Sequence, residues 1–524
     1  MALYGVEQSR IVQERDNFIE ALANRGNKVR RLATRHHPRS LQCEFFNHPT
    51  AESHYARGTF NVCFFVQFST GERWVIRIPL RPCLAIPASE KLEGEVATMS
   101  TLIEGRLIRE KTTIPIPKLV AYSLNQTSDP LSTYIIMEYV AGGTLTVKQI
   151  EHATDTQRDN LYKTLANVYI QLRQLEFPAI GRLTRNADGV LEVRPGALTL
   201  DMNGLQIEGL DPFATQESFY PEDGLPASAN DYIAMRLQMS WNAFFKGRNN
   251  IGKSMAASVL YHLHLFCQHV EKWKNPALDQ GPFVLVHGDM GPQNLIVNEN
   301  LEIVCVIDWE WSHVVPLQFF TPPLWLTGRN SVSMAAPVAW GLYLTMALSK
   351  FLAVVKTQEL SSFGEDRLFT EWTASKEDAE PLVANALENW TDIDWFSFRY
   401  LSRGNVENKE KLEQDAQAFV DADPIRGLIV RMKEDDRAAY AAEMEKHQEK
   451  QTMPALSNGC TASSRLAGWL LSKHKEIQVA QSLSVVAGTS VLILGCFLIG
   501  KRMQITTIPN LAAGLSAAAT RLAS

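Results

Sequence analysis

No Cys-x-x-Cys pair occurs in these 524 residues, and the seven cysteines (Cys43, Cys63, Cys83, Cys267, Cys305, Cys460 and Cys496) are scattered and odd in number. That excludes a disulfide framework and a zinc-type spacing, and it suits a reducing compartment. Cys63, Cys305 and Cys496 sit inside apolar runs and read as small core or lipid-facing residues. Long Lys/Arg blocks are also missing, and the net charge is −6, so nucleic acid is not an expected partner. The N-terminus lacks an apolar signal core. Residues 1–54 read instead as a solvated helical extension. A basic patch (Lys28, Arg30, Arg31, Arg35, Arg39) resembles a transit peptide, but Glu7, Glu14, Asp16 and Glu20 argue against that. What remains is ordinary for a globular chain, 45% hydrophobic and 21% charged, and long enough for two or three units.

The informative stretch is Val286-His287-Gly288-Asp289-Met290-Gly291-Pro292-Gln293-Asn294, followed by Val306-Ile307-Asp308-Trp309. An apolar strand-like run from Phe283 delivers His-x-Asp, and Asn294 follows five positions after Asp289. A second run from Ile303 delivers Asp308, nineteen positions after Asp289. Phosphoryl transfer from ATP needs such a set: one carboxylate to orient the acceptor hydroxyl and take its proton, and an Asn plus a second carboxylate to hold Mg²⁺ against the phosphates. The plain alternative is that Asp289 and Asn294 cap a turn between strands, which leaves their joint spacing with Asp308 unexplained.

The text HGDMGPQN…VIDWEW resembles the aminoglycoside phosphotransferase-like family, small-molecule relatives of protein kinases. The resemblance covers residues 55–400 and implies an α+β, bilobal protein-kinase-like fold: a small antiparallel-sheet lobe over 55–137 and a larger, mainly helical lobe over 138–450. It implies ATP and Mg²⁺ as cofactors, Asp289 as catalytic base, and Asn294 and Asp308 as metal ligands. A glycine-containing loop with Gly58 and Asn61 would cover the nucleotide, although a single glycine also suits an ordinary hairpin. Arg77 stands where kinases place a phosphate-binding Lys at the end of a strand. A surface Arg at a strand end is the alternative, and an Arg there stays charged and bulkier.

Downstream of Arg77, Leu92, Val96, Met99 and Ile103 recur at helical spacing. The resemblance makes Glu95 the ion-pair partner of Arg77, with Glu90 and Glu93 facing solvent. Ile114-Pro115-Ile116-Pro117 matches the family's Pro-x-Pro segment, where prolines forbid helix and cap a sheet edge. The run Tyr134–Gly143 is a buried strand breaking into glycines. By resemblance it is the hinge, with backbone groups of Glu138 and Val140 meeting adenine; an ordinary buried strand and turn is the alternative.

In the larger unit, residues 154–175 read as an amphipathic helix and 255–273 as another. Residues 181–250 read as a long irregular insertion expected to shape the acceptor pocket. His262 and His264, two apart on a helix, point to different faces and cannot share a metal. His287 is expected to pack and bond the loop backbone. Glu310 stands where Asp-Phe-Gly has its glycine, and three readings stay open: a water-mediated metal contact, a contact to a cationic acceptor, or a solvated turn. The aromatics around it read as core. Residues 414–450 read as charged helices closing the domain.

The tail, 451–524, holds an uncharged run of 18 residues at 483–500. As a helix extended back to 479 it would reach about 33 Å, close to a bilayer core of about 30 Å. A tail anchor leaving the catalytic unit in the cytoplasm and a buried C-terminal helix are both compatible with it. Lysines and arginines balance on the two flanks, so orientation is not set. The expectation is an ATP- and Mg²⁺-dependent phosphotransferase acting on a small-molecule hydroxyl acceptor. The rival is a catalytically weak kinase-fold binding or scaffold protein, possible as a membrane-tethered form. The sequence leaves the acceptor and oligomeric state open.

Overall fold

In the computed structural model the described residues are 2–48, 54–104, 112–196, 199–220, 228–248, 251–375, 379–405 and 407–452. The apolar run at 479–500 lies outside them, and so does the tail-anchor expectation. Two lobes are present, a small one built on an antiparallel sheet and a large, mainly helical one, in the kinase-like arrangement.

Strands β1 (Cys43–Phe45), β2 (Tyr55–Arg57), β3 (Asn61–Phe68), β4 (Arg73–Pro79), β5 (Leu119–Leu124) and β6 (Thr133–Glu138) form the small-lobe sheet. Its order is β1-β3-β4-β6-β5, with β2 also paired to β3, and every pairing is antiparallel. β3 and β4 are rich in β-branched and aromatic residues, which suit a pleated, half-buried surface. Val62, Phe64, Val66 and Phe68, two apart along β3, all lie in one apolar layer with Trp74, Ile76 and Ile78 of β4. β5 begins just after Pro117 and is an edge strand, the place where prolines cost no ladder bond.

The solvated extension suggested by the charges of residues 1–54 is not what forms. α1 (Ala2–Ala23) and α2 (Gly26–His36) bring Ile19, Leu22, Val29, Leu32 and Ala33 into the same apolar layer as β3 and β4. Glu14, Asp16, Glu20, Lys28, Arg31 and Arg35 are exposed on the outer faces of these helices, so a high charge count coexists with a buried stripe. β1 then joins the sheet beside β3. The opposite side of the sheet meets α3 (Ala88–Glu104), whose Leu92, Val96, Met99 and Leu102 share a core with the large lobe.

Residues 139–142 carry the chain from β6 to β7 (Gly143–Thr144), which pairs with a large-lobe strand, so this segment is where the lobes are joined. Next come α4 (Val147–His152) and α5 (Asp155–Arg173). α5 starts at a capping box in which Thr154 and Gln157 satisfy each other's backbone amides, a device worth about 1 kcal/mol. β8 (Glu176–Phe177) follows and pairs with a later strand of the catalytic region.

The insertion at 181–250 is more regular than its Gly, Pro and Asp content suggests. It contains a hairpin of β9 (Arg182–Arg185) and β10 (Leu191–Arg194), then α6 (Leu200–Ile207), α7 (Pro212–Phe219) and the 18-residue α8 (Ala229–Lys246). In α8, Tyr232, Arg236, Met239 and Ala243 recur every three or four residues and are buried, a helical signal set between turn-forming residues. α9 (Ala256–Trp273) precedes β11 (Phe283–Val286), β12 (Leu295–Val297), β13 (Ile303–Val306) and β14 (His313–Pro316). Helices Lys409–Asp421 and Pro424–Thr452 pack on α9, and α1 packs against Pro424–Thr452. One helical stretch among the described residues, Pro337–Phe363, is long and apolar enough to cross a membrane, but Phe351, Leu352 and Val355 within it belong to the large-lobe core.

Candidate active site

Two short antiparallel pairs present the motif residues. β11 pairs with β14, and β12 pairs with β13. Asp289 lies on the loop leaving β11; Asp308 lies on the turn between β13 and β14. The register Leu295↔Val306 and the bond from the Ile307 amide to the Asn294 carbonyl (3.0 Å) bring Asn294 beside that second turn.

The loop is fixed from inside by His287. Its Nε2 donates to the Ile307 carbonyl at 2.8 Å, so its bare Nδ1 accepts from the Asp289 amide at 3.3 Å. Burial lowers the imidazole pKa to about 4, which keeps it neutral and able to hold both bonds. This is the backbone-bonding job its place in the motif suggests. Gly288 has φ +78°, and a Cβ there would lie 2.0 Å from the Trp311 carbonyl oxygen. Only glycine fits.

Asn294 Nδ2 donates to the Asp289 backbone oxygen at 2.7 Å and to its Oδ2 at 2.9 Å. Gln293 Nε2 reaches Asp289 Oδ1 at 3.2 Å. Burial nevertheless raises the Asp289 carboxyl to about 6, against the pull of these two amides, and the nearby Asp308 charge adds to the rise. The Asn294 amide nitrogen is thus committed to Asp289, and the amide oxygen is its remaining ligating atom. Asp308 sits at φ +62° with its side chain 38% exposed, the most open carboxylate of the cluster that it forms with Glu95 and Glu310. One amide oxygen and one carboxylate are hard donors, as Mg²⁺ requires; phosphate and water oxygens complete its shell in such sites. Among the described residues no group of three or more His, Cys, Asp or Glu forms a metal cage.

Above the strand turns stands a buried charge cluster. Arg77 Nη1 pairs with Glu95 Oε1 and lies 3.4 Å from Asp308 Oδ1, while Nη2 lies 2.7 Å from Glu310 Oε2. Glu90 instead pairs with Arg182 at 2.9 Å. Lys91, one helical turn before Glu95, pairs with Glu310 and lies 4.3 Å from the Trp311 ring centre. Asn61 Nδ2 donates to both Glu310 oxygens, at 3.1 and 2.9 Å. Burial opposes charge on Glu310, but Lys91 and Arg77 outweigh it and hold the carboxyl at about 2. Glu310 is therefore neither a solvated turn residue nor a cleft-facing one: its side chain is 6% exposed and spent on small-lobe donors.

The remaining expected residues, Gly58, Glu138 and Val140, are not members of this cluster; they stand on the β2–β3 turn, at the end of β6 and just beyond it. Gly58 is exposed on the turn between β2 and β3, where its amide bonds the Asn61 carbonyl at 2.8 Å. The hairpin read from the sequence is β3–β4, so Gly58 and Asn61 lie at the end of β3 opposite its Gly71 turn. The Glu138 amide is already taken by the Lys118 carbonyl at 2.9 Å, and its side chain pairs with Lys118. Val140, two residues on, makes no backbone hydrogen bond among the described residues. A cavity of about 330 Å³ opens on the other side of Asp289, lined also by Asp201, Phe319, Phe320, Trp325 and Glu388.

A family model described as the phosphotransferase enzyme family matches residues 56–319, half of the chain. The chain belongs to the phosphotransferase enzyme family. Over 133 residues it is 31% identical to a subtelomeric hrmA-associated cluster protein of Aspergillus fumigatus, covering 25% of this chain and 24% of that protein. Over 152 residues it is 28% identical to the mitochondrial altered inheritance of mitochondria protein 9 of Debaryomyces hansenii, covering 29% and 23%. The matched stretches span about a quarter of these curated relatives. Among solved structures, a GDP complex of wild-type aminoglycoside 2'-phosphotransferase-IIIa is similar at 14% identity and TM-score 0.35, covering 76% of this chain and 93% of that one. Macrolide 2'-phosphotransferase type I is similar at 14% identity and TM-score 0.35, covering 75% and 96%.

Within this member of the phosphotransferase enzyme family, two groups of residues near the motif escape the sequence signals. Lys91 could be found from its spacing of four from Glu95, which puts both on one helix face. Asp201 and Glu388 carry no such signal, because the insertion and a helix near residue 388 meet at the cavity only through tertiary packing.

Proposed function

We propose that this protein moves the γ-phosphate of ATP to a hydroxyl of a small molecule, with Mg²⁺. The observation that supports this most is the convergence of Asp289, Asn294 and Asp308 on adjacent strand turns, beneath the Arg77–Glu95 pair and beside an acceptor-sized cavity. In this reading Asp289 orients the acceptor hydroxyl and takes its proton. Asn294 fixes the Asp289 carboxylate and offers its amide oxygen to the metal, with Asp308 as the second protein ligand. Bound Mg²⁺ supplies charge neutralisation at the phosphate oxygens. Arg77 holds phosphate, Gly58 and Asn61 frame the turn above it, and the free amide of Val140, two residues after Glu138, meets the adenine edge. Thr199, Leu200 and Asp201 bring the insertion to the acceptor side.

Asp289→Ala should lower transfer by about 10²–10⁴-fold while leaving ATP binding nearly intact. The measurement is ATP consumption against a panel of alcohols, aminoglycosides and metabolites, alongside nucleotide titration. A variant keeping more than about a tenth of wild-type turnover would remove Asp289 from the role. A second reading, a kinase-fold binder with weak chemistry, draws support from the three carboxylates crowding Arg77. It predicts nucleotide binding without phosphate transfer to any acceptor in the panel. In either reading the run at 479–500 is proposed as a membrane tether.

A further inference from the structure

We infer that Glu310 is a positioning residue: it serves as the internal counter-charge that leaves Asp308 free to hold the metal. This inference rests on the reading of Asp308 as a Mg²⁺ ligand.

Four charged groups are buried together where the lobes meet. Arg77 and Lys91 are the cations; Glu95 and Glu310 are the anions. Their side chains are between 2% and 6% exposed, so each charge needs a partner within the protein. Glu95 takes Arg77 Nη1, and Glu310 takes Arg77 Nη2 and the Lys91 ammonium. Two positive and two negative charges make a neutral quartet. Asp308 is the fifth member. It is the loosest of Arg77's three carboxylate neighbours, at 3.4 Å, and the only one substantially open to the cleft. Its negative charge is therefore not consumed by the quartet.

Glu310 is suited to this task by its supports. Asn61 holds both of its oxygens from the start of β3. Its neighbour Trp311 is wedged between Phe60, with ring centres 4.9 Å apart, and Lys91. The carboxylate is thus pinned by the first residue of β3, by β4 and by α3 at once, while Asp308, two residues earlier at a left-handed backbone position, keeps its side chain 38% exposed. Without the charge on Glu310 the buried set would carry one excess positive charge. Asp308 would be the nearest anion able to answer it, and would be drawn from the metal to Arg77.

The test is nucleotide binding by the full chain, measured by calorimetry with ATP across a Mg²⁺ titration. Glu310→Gln keeps the size of the side chain and removes its charge. It should raise the Mg²⁺ concentration for half-maximal tight binding by about tenfold or more, while Mg²⁺-free ATP binds as well as before or better. The double variant Lys91→Met/Glu310→Gln restores neutrality, and its Mg²⁺ requirement should return to within about threefold of wild type. A purely structural role for Glu310 predicts the reverse, a double variant at least as impaired as the single one. Unchanged Mg²⁺ dependence in Glu310→Gln, with Asp308→Asn impaired, would overturn this inference alone. Mg²⁺-independent ATP binding in wild type and in Asp308→Asn alike would overturn the metal reading and this inference together. If Glu310→Gln melts early, the double variant still decides, because it removes the excess charge.

Discussion

Gly288→Ala is the substitution whose outcome the geometry constrains most tightly, and Gly71→Ala is its natural reference. Both glycines have positive φ, +78° and +87°. An L-residue in that region costs about 1–2 kcal/mol at either site. The gain from stiffening the unfolded chain is also common to both, so it cancels in the comparison. The surroundings differ. A Cβ at Gly71 meets nothing within 4 Å, whereas at Gly288 it meets the Trp311 carbonyl oxygen at 2.0 Å and carbon at 2.7 Å. That neighbour is backbone, so no rotamer change relieves the overlap. Forced overpacking of this kind adds about 1–3 kcal/mol. Gly288→Ala should therefore be the less stable variant by about that margin in urea unfolding. Relief also has to come from moving either the Asp289 loop or the 309–311 turn. A displacement near 1 Å at a reacting group costs about 10²-fold in rate. Mg²⁺-dependent ATP consumption should accordingly collapse in Gly288→Ala and survive in Gly71→Ala. Equal stability of the two variants, with turnover within about threefold of each other, would refute the argument that this close approach sets the loop.

Asp289 titrates near 6 and must be deprotonated to accept a proton, so kcat/KM should rise with pH through about 6 and level off above it. A rate flat from pH 5 to 8, or falling across it, would contradict that assignment. Asp308→Asn should weaken Mg²⁺·ATP far more than metal-free ATP, which paired titrations with and without Mg²⁺ would detect. Arg173 is fully buried and holds Glu371 through two bonds of 2.7 Å, with Glu176 at 2.9 Å. Arg173→Met should cost about 3 kcal/mol in chemical denaturation, the low end of the range for a broken buried pair because both carboxylates keep some access to water. A chain ending near Gln451 should stay soluble and keep its activity, whereas the full chain should resist alkaline carbonate extraction from membranes. Extraction of the full chain under those conditions would dismiss the tether.

What could be read from the residue order was whatever the chemistry ties to local spacing. His287, Asp289, Asn294 and Asp308 stand on two adjacent strand turns, and strands announce themselves by apolar runs such as Phe283–Val286 and Ile303–Val306. The alternation of Val62, Phe64, Val66 and Phe68 likewise gives away the buried face of β3. The burial of α2 is harder to see, because three apolar residues suffice for its stripe while basic residues dominate the composition. The partners of Glu310 were not legible. Asn61, Arg77 and Lys91 lie more than 200 residues away in the chain, and no local periodicity encodes a pairing over that distance. The insertion misled for another reason. Its prolines and glycines punctuate the connections, and they hide the four-residue rhythm of α8.

The contact of α1 with the helix Pro424–Thr452 joins the earliest and the latest described elements of the chain. During synthesis the N-terminal helices and the small-lobe sheet leave the ribosome long before that partner exists. One side of α1 therefore waits, uncovered, while some four hundred residues are added. Closing so long a loop is only modestly unfavourable, since the entropy grows with the logarithm of length. The delay is kinetic: the face of α1 that meets Pro424–Thr452 is covered only once that last described helix has been made.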